Sequence, residues 1–333
     1  MRSTGQTQGT ARRWIERGVL LLAAVCALWA LRRAEPAAII PPVGAAGWSA
    51  ILGLSAASIA LTFLPTWVFL RRAGTRVPFL GLSAVMLASQ AVNATNPLRA
   101  GFPVRVYLLK ERYGVPLGVG AILIPLEGFM AIAVAVLAAM AAAPLQVPAL
   151  RATPGTLLAL ASLVGGIAAI AAGRFAARRP GTILSCLPAR ARKAAEPLLE
   201  AAAHVRPLLL GVFAICFLLV DLSVASILGV ALHASGFDAS ILFLLGAYCA
   251  AYLFGIASLV PQGLGSRDAA LGLLLHAGGA TADQAASAVL VARAGTTGLA
   301  FLAGLVSAAL LGLSRRAAVA AARKAAPSGG GHR

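Results

Sequence analysis

Apolar residues run along this chain in long blocks, and polar residues gather between the blocks rather than alternating with them. The blocks at about Trp48–Leu70, Leu117–Ala142, Pro154–Gly173, Pro207–Leu232 and Asp283–Leu313 are each long enough to cross a hydrocarbon core of about 30 Å at about 1.5 Å per residue. An earlier block, Trp14 to Leu31, follows a basic start. It reads as a first span, although Arg12-Arg13 before it also hints at a twin-arginine signal. Two further blocks are interrupted. Phe79–Val92 breaks at Asn93-Ala-Thr-Asn-Pro97 and is followed by an amphipathic piece from Leu98 to Tyr113. Ala239–Val260 breaks at Pro261 and resumes from Leu271 to Ala277. The pattern predicts an all-α polytopic membrane protein with about six full spans and two re-entrant helical hairpins, some eight hydrophobic segments in all.

Charge decides how those segments are threaded. Basic residues flank the blocks in clusters: Arg12, Arg13 and Arg17; Arg71, Arg72 and Arg76; Arg174, Arg178 and Arg179; Arg190, Arg192 and Lys193; Arg315, Arg316, Arg323 and Lys324. Such clusters mark the cytoplasmic side of a membrane protein. If both interrupted blocks are hairpins, every large cluster falls on one side, apart from Arg32-Arg33. One hairpin then opens from the cytoplasm and the other from outside, the arrangement of an inverted-repeat transporter. No sequence repeat accompanies it. The expected organisation is a basic cytoplasmic N-terminus (1–13), one transmembrane bundle (14–313) with a basic cytoplasmic loop (174–206), and a basic, Pro/Ser/Gly-rich cytoplasmic tail (314–333). The expected location is a bacterial inner membrane, multi-pass, with both termini cytoplasmic.

Composition agrees. The chain is 333 residues long, 60% hydrophobic and only 11% charged, where soluble domains carry about 25% charged residues. Ala, Leu and Gly dominate, and small residues let helices approach closely in lipid. A net charge of +18 raises nucleic acid as a partner, but the clusters track the membrane and no nucleic-acid module accompanies them. Cys26, Cys186, Cys216 and Cys249 are isolated and the four histidines lie far apart, so no metal site is expected. No cofactor is implied, and oligomeric state is not readable.

The chemistry therefore rests on polar residues within the apolar blocks. A charge at the centre of a membrane helix costs about 2.5–3.5 kcal/mol on insertion scales. Glu127, Asp221 and Arg293 stand in long blocks, so they face a polar path or one another. Pro125 frees a carbonyl beside Glu127. At the second break Pro261 stops one helix, Gly263 and Gly265 allow a tight turn, and Ser266 reads as the N-cap of the next, with Asp268 in its first turn. Free N–H groups of Gly263, Gly265 and Ser266, with Arg267, then make an anion site inside the membrane, a phosphate headgroup being the obvious anion. Arg99 and Arg105 at the first break form a second clamp, unless they only snorkel to an interface.

These residues carry a resemblance. Pro261-Gln-Gly-Leu-Gly-Ser-Arg-Asp268, followed by a half-helix and Arg293, resembles the Pro-Gly-Gly-Leu-Gly-x-Arg-Glu motif of the lysylphosphatidylglycerol synthase transmembrane region family, also called flippase-like domain proteins. Asn96-Pro-Leu-Arg-Ala-Gly101 with Arg105 is similar to that family's Pro-x-Arg-x-Gly-Glu-x-x-Arg segment, and Glu127 falls where the family has a Glu in the next helix. Order and spacing agree from about residue 15 to 315. Gln262 replaces a glycine, Asp268 replaces Glu, and Phe102 stands where the first motif carries Glu. The resemblance implies the membrane half of the family's work, moving a lipid across the bilayer. It does not carry aminoacyl transfer, because the soluble transferase domain of two-domain members is absent. Some stand-alone relatives sit beside hopanoid or other isoprenoid-lipid pathways.

Three readings stay open. The chain moves a lipid (an anionic or aminoacylated phospholipid, or an isoprenoid lipid), with Arg99, Arg105, Gly263, Gly265, Ser266 and Arg267 on the headgroup and Glu127, Asp221, Asp268 and Arg293 along the polar path. It is a non-catalytic partner of a lipid-biosynthesis enzyme, docking through the 174–206 loop. Or it is a membrane-embedded headgroup enzyme with Glu127 or Asp268 as base, a reading weakened by the lack of a nucleophile–His–carboxylate set or a metal box. Without a Walker motif, ATP is not the direct driver.

Overall fold

The computed structural model describes residues 43–95, 100–146, 205–258, 263 and 265–312, and those residues are helical apart from short connections. The first apolar run (14–31), the run at 154–173, nearly all of the basic loop at 174–206, Arg99 and the tail from 314 lie outside the described residues. Among the described residues four helices are long and apolar enough to cross a membrane. They are α1 (Ala45–Arg72), α4 (Leu117–Gln146), α5 (Pro207–Ala234) and the last span, which runs from α8 (Ala282–Arg293) through a π-turn (Ala294–Gly298) into α9 (Leu299–Leu310). Shorter helices fill the gaps: α2 (Phe79–Thr95), α3 (Gly101–Tyr113), α6 (Ile241–Ala257) and α7 (Ser266–Ala277). No strand occurs among the described residues.

The short helices pair as two antiparallel hairpins. In the first, the Gly101 N–H donates to Asn93 Oδ1 at 2.8 Å, Arg105 Nη1 reaches Met86 Sδ at 3.2 Å, and Gly81 lies under the Tyr113 hydroxyl, where a Cβ would collide. Contacts thus run backwards along α2 as they run forwards along α3. In the second, the Ser258 and Ser266 hydroxyls share a 2.7 Å hydrogen bond, Arg267 lies over Tyr248 and Tyr252, and Gly278 meets the Phe243 ring. Each hairpin therefore returns the chain to the end of the bundle from which it entered.

The two ends differ. Trp67 Nε1 donates to the Val77 carbonyl at 3.0 Å, and Arg112 Nη2 to the Leu311 carbonyl at 2.7 Å, so the end of α1, the mouth of the first hairpin and the end of α9 lie together. Arg71, Arg72, Arg76, Lys110 and Arg112 sit at this end. At the other, Gln284 Nε2 donates to the Ser235 carbonyl at 2.8 Å, and Gly47 faces Val230. The described residues there (43–47, 233–243 and 276–284) include no Lys or Arg. The first hairpin enters from the basic end, the second from the opposite end.

Span, hairpin, span thus occurs twice, as α1, α2–α3, α4 and then as α5, α6–α7, α8–α9, with inverted direction. The packing follows the same relation: α4 lies against α6 and α9 against α2, while α1 and α5 pack on each other. Gly304 brings α9 so close to α2 that a Cβ would meet the Leu87 carbonyl and Ala91, the close approach that small residues permit in lipid. Outward residues such as Leu80, Ile215, Leu273, Leu302 and Leu310 are exposed and apolar, as a lipid-facing surface requires.

The buried apolar residues form two clusters, one toward each end. Ile51, Leu228, Leu244, Leu275 and Ala288 belong to the first; Phe63, Phe69, Leu82, Leu109, Leu123 and Phe213 to the second. The layer between them falls near the midpoints of the long spans, and that layer is polar.

Candidate functional site

A cavity of about 420 Å³ occupies that middle layer, and a second lobe of about 290 Å³ adjoins it through shared walls at Asn93, Phe102, Gly128, Tyr252, Arg267 and Thr297. Four elements supply the polar lining at mid-span. Ser55, Ser58 and Thr62 of α1 stand between Ile51 of one apolar cluster and Phe63 of the other. Glu127 of α4, Ser89, Gln90 and Asn93 of α2, and Thr296 and Thr297 of the π-turn complete it. The hairpins bring Arg105 and Arg267 to its walls.

The first hairpin is tied to α4 by an ion pair. Arg105 Nη1 donates to Glu127 Oε2 at 2.7 Å; Arg105 is 3% exposed and Glu127 15%. The Thr66 hydroxyl donates to the other carboxylate oxygen, Oε1, so both oxygens of Glu127 are engaged. Arg105 keeps Nε and Nη2 buried and without a hydrogen-bond partner among the described residues, although guanidinium N–H groups left so normally cost free energy. Gly101 makes this geometry reachable, since a Cβ there would strike the Ser89 carbonyl and Asn93.

The second hairpin is tied to α8 by an ion pair of the opposite sense. Asp268 Oδ1 accepts from Arg293 Nε at 2.6 Å. Arg293 also donates to Thr297 Oγ1 at 3.3 Å and to the Gly263 carbonyl at 3.4 Å. Gly263 and Gly265 have φ of 62° and 80°, so the turn uses the left-handed region that glycine enters freely. The N-cap differs from the sequence expectation. Gly265 holds that position, and the Ser266 hydroxyl turns to Ser258 instead. The Gly265 N–H donates to Asp268 Oδ2 at 3.3 Å. The chain's own carboxylate thus already occupies the positive end of α7.

Arg267 lies 4.6 Å from the Tyr248 ring centroid and 5.2 Å from that of Tyr252. Arg267 is held there by cation–π attraction and by a side-chain hydrogen bond to Tyr248. Gly255 permits the approach, because a Cβ there would come within 2.9 Å of Arg267 Cβ. Arg105–Glu127, Arg293–Asp268 and the exposed His233–Asp238 are ion pairs among the described residues, and Arg267 is in none of these.

Of the residues singled out in the sequence, Arg105, Glu127, Gly263, Arg267 and Arg293 line the cavity, with Ser266 and Asp268 in the turn behind it. Gly265 is the cap of that turn, and Arg99 lies outside the described residues. Asp221 does not line either lobe; it sits on α5 and accepts from Cys249 Sγ at 3.7 Å. Glu127 and Arg293 do not pair with each other, since each finds its partner on a hairpin. Among the described residues no three His, Cys, Asp or Glu side chains gather where they could hold a metal. Tyr248, Tyr252 and the Ser55–Ser58–Thr62–Thr66 stripe were not singled out. Both carried a signal. Two of the chain's four tyrosines stand four residues apart, and the α1 hydroxyls recur at helical spacing on one face.

Helices that cross a membrane, two broken helices entering from opposite ends and a charged cavity at mid-depth define a polytopic all-α membrane protein. A family model, the lysylphosphatidylglycerol synthase TM region, matches residues 18–304, and the chain belongs to that family. No curated protein and no solved structure gives a significant match to the chain.

Proposed function

We propose that this protein carries a lipid headgroup between the two leaflets of a bacterial inner membrane, while the tails stay in the surrounding lipid. The observation that carries the reading is the cavity itself. A polar, cation-bearing space lies at mid-span between two apolar clusters, bounded by hairpins that enter from opposite ends. Irregular backbone and unneutralised charge at that depth are tolerated where they line such a path. Arg267 and Arg105 hold the headgroup, beside a turn whose Gly265 N–H is already on Asp268; Arg99 belongs with them by its place in the sequence. The two ion pairs fasten each hairpin to the span that follows, and loosening one or the other gives access from one side at a time. The concentration of Arg and Lys at one end supports a cytoplasmic placement of that end.

The test is reconstitution. Purified protein in liposomes containing a trace of labelled lipid should speed its exchange between leaflets, and Arg267→Gln should slow it about tenfold while the protein still folds. Exchange no faster than in protein-free liposomes, for phosphatidylglycerol, an aminoacylated form and an isoprenoid lipid alike, with or without a proton gradient, would sink the reading. A supporting role beside a lipid-biosynthesis enzyme would then take its place.

A further inference from the structure

One mid-span carboxylate lies outside the cavity and outside both hairpin fastenings. We propose that Asp221 is a proton-binding site, and that the proton it takes up or releases sets how firmly Arg267 is held on its tyrosines. The inference goes beyond the headgroup reading and does not rest on it.

Asp221 stands midway along α5, on the seam with α6. Its hydrogen-bond partner there is the Cys249 thiol at 3.7 Å, and Cys249 is fully buried. Glu127 and Asp268 each have an arginine in an ion pair; Asp221 is in none of the ion pairs among the described residues. A thiol is a weak donor and brings no charge. An ionised carboxylate so placed is costly at this depth, and such a group takes up a proton instead. For holding α5 to α6 the acid has no advantage over an amide, whose oxygen accepts the same thiol hydrogen without that cost. What an acid adds is the capacity to gain one proton from water and lose its charge.

The surroundings tie this proton to the cavity. α5 packs on α1, α4, α6 and α8. α1 brings no titratable side chain to mid-span, since its arginines lie at the basic end. α4 brings Glu127 and α8 brings Arg293, each already paired with a hairpin, while Asp283 of α8 lies at the opposite end. α5 itself adds Cys216 and His233, each more than one turn away. α6 brings Tyr248, Cys249 and Tyr252, with Arg267 of α7 stacked on both rings. Arg267 and Tyr248 are within electrostatic reach of the Asp221 carboxylate, and Arg267 also hydrogen-bonds Tyr248. Val220 and Val224, beside Asp221 on α5, line the cavity.

While Asp221 is protonated, Arg267 stays on the tyrosines. Once ionised, the carboxylate draws the guanidinium toward α5, a Coulomb pull that a low local dielectric strengthens. Arg267 is in the first turn of α7, so the pull acts on the hairpin that enters from the end opposite the basic one. Proton binding thereby biases one hairpin and leaves the Arg105–Glu127 fastening of the other in place.

Infrared difference spectroscopy of the full-length protein in lipid nanodiscs reads the proton directly. At neutral pH wild type should show the carbonyl band of a protonated acid that moves in heavy water. Asp221→Asn should lose it, and Asp221→Glu should restore a band at a shifted frequency. Isotope-labelled tyrosine gives the second reading. The chain has four tyrosines, so Tyr248→Phe assigns the Tyr248 ring signal. That signal should change over the pH range in which wild type loses the acid band, and stay flat there in Asp221→Asn. In Arg267→Gln the band should be lost at a pH differing from wild type by about one unit or more, the scale on which a nearby charge moves a titration.

The absence at neutral pH of any acid band that Asp221→Asn removes would overturn the inference. A titration that leaves Tyr248 unchanged, or that Arg267→Gln does not move, would overturn it equally. Neither reading requires a lipid to cross the membrane, so failure here and failure of the exchange assay are separate results.

Discussion

Near the tip of the first hairpin the cation sits on the returning limb and the carboxylate on the next span; near the tip of the second the two are exchanged. Arg105–Glu127 and Asp268–Arg293 occupy related places in two inverted halves, at 2.7 Å and 2.6 Å. Their surroundings differ. The first pair is 3% and 15% exposed, the second 28% for Asp268 and 18% for Arg293. The second hairpin also carries an additional cation, Arg267, stacked on two tyrosines and hydrogen-bonded to Tyr248. One tip is therefore a tight fastening and the other a fastening plus an arginine that lines the cavity. A symmetric architecture can divide labour this way because each ion pair is local to its own hairpin.

The comparison breaks most readily at the first fastening. Glu127→Gln leaves Arg105 charged and buried without its partner, and should cost about 3–5 kcal/mol in thermal or denaturant unfolding in detergent. Removing both charges, as Arg105→Met with Glu127→Leu, should recover much of that loss. A single variant as stable as wild type would show that the pair is not what holds α3 to α4. Next comes Gly255→Val, which forces a side chain against Arg267. It should cost about 1–3 kcal/mol by overpacking and reduce headgroup binding more than Asp268→Asn does. Asp268→Asn follows, at about 1–2 kcal/mol, because water reaches that pair more easily and the asparagine oxygen still accepts from Gly265. A larger loss for Asp268→Asn than for Glu127→Gln would invert the comparison between the halves. The smallest effect belongs to His233–Asp238, a 2.6 Å pair at 78% and 85% exposure on a connection outside both tips. His233→Ala should change stability by less than about 0.5 kcal/mol.

The spans were legible in the sequence because crossing a bilayer demands length and apolarity, and little else satisfies that demand. α1, α4, α5 and the last span fall within a few residues of the expected blocks. The hairpins were legible from a conjunction: breaks too polar for mid-span, and basic clusters that align on one side only if both breaks turn back. The partners within the site were not. Nothing in the spacing of Glu127 says that its cation lies 22 residues back on a returning limb, and nothing near Asp268 names Arg293 as its partner. Pairing across a hairpin is set by how deep each limb reaches, which depends on packing at Gly101, Gly255 and Gly304 rather than on periodicity. The N-cap was misplaced by one residue for a related reason. Ser266 is a good cap by type, but its hydroxyl has a better partner in Ser258 across the hairpin, and glycine at positive φ takes the capping position. The stripe of α1 hydroxyls and the Tyr248–Tyr252 pair were visible as patterns, yet their role appears only when a cation and a cavity are placed beside them.

The most direct test of the two-hairpin arrangement is the sidedness of its four mouths. In a background without the four native cysteines, single cysteines at Arg76, Glu111, Asp238 and Ala277, all exposed positions, would be treated with a membrane-impermeant maleimide from one side of sealed vesicles and then from the other. The arrangement requires that positions 76 and 111 label from one side and 238 and 277 from the opposite side. Labelling of 238 and 277 from different sides would make α6–α7 a crossing segment rather than a hairpin, and the inverted architecture would fall with it.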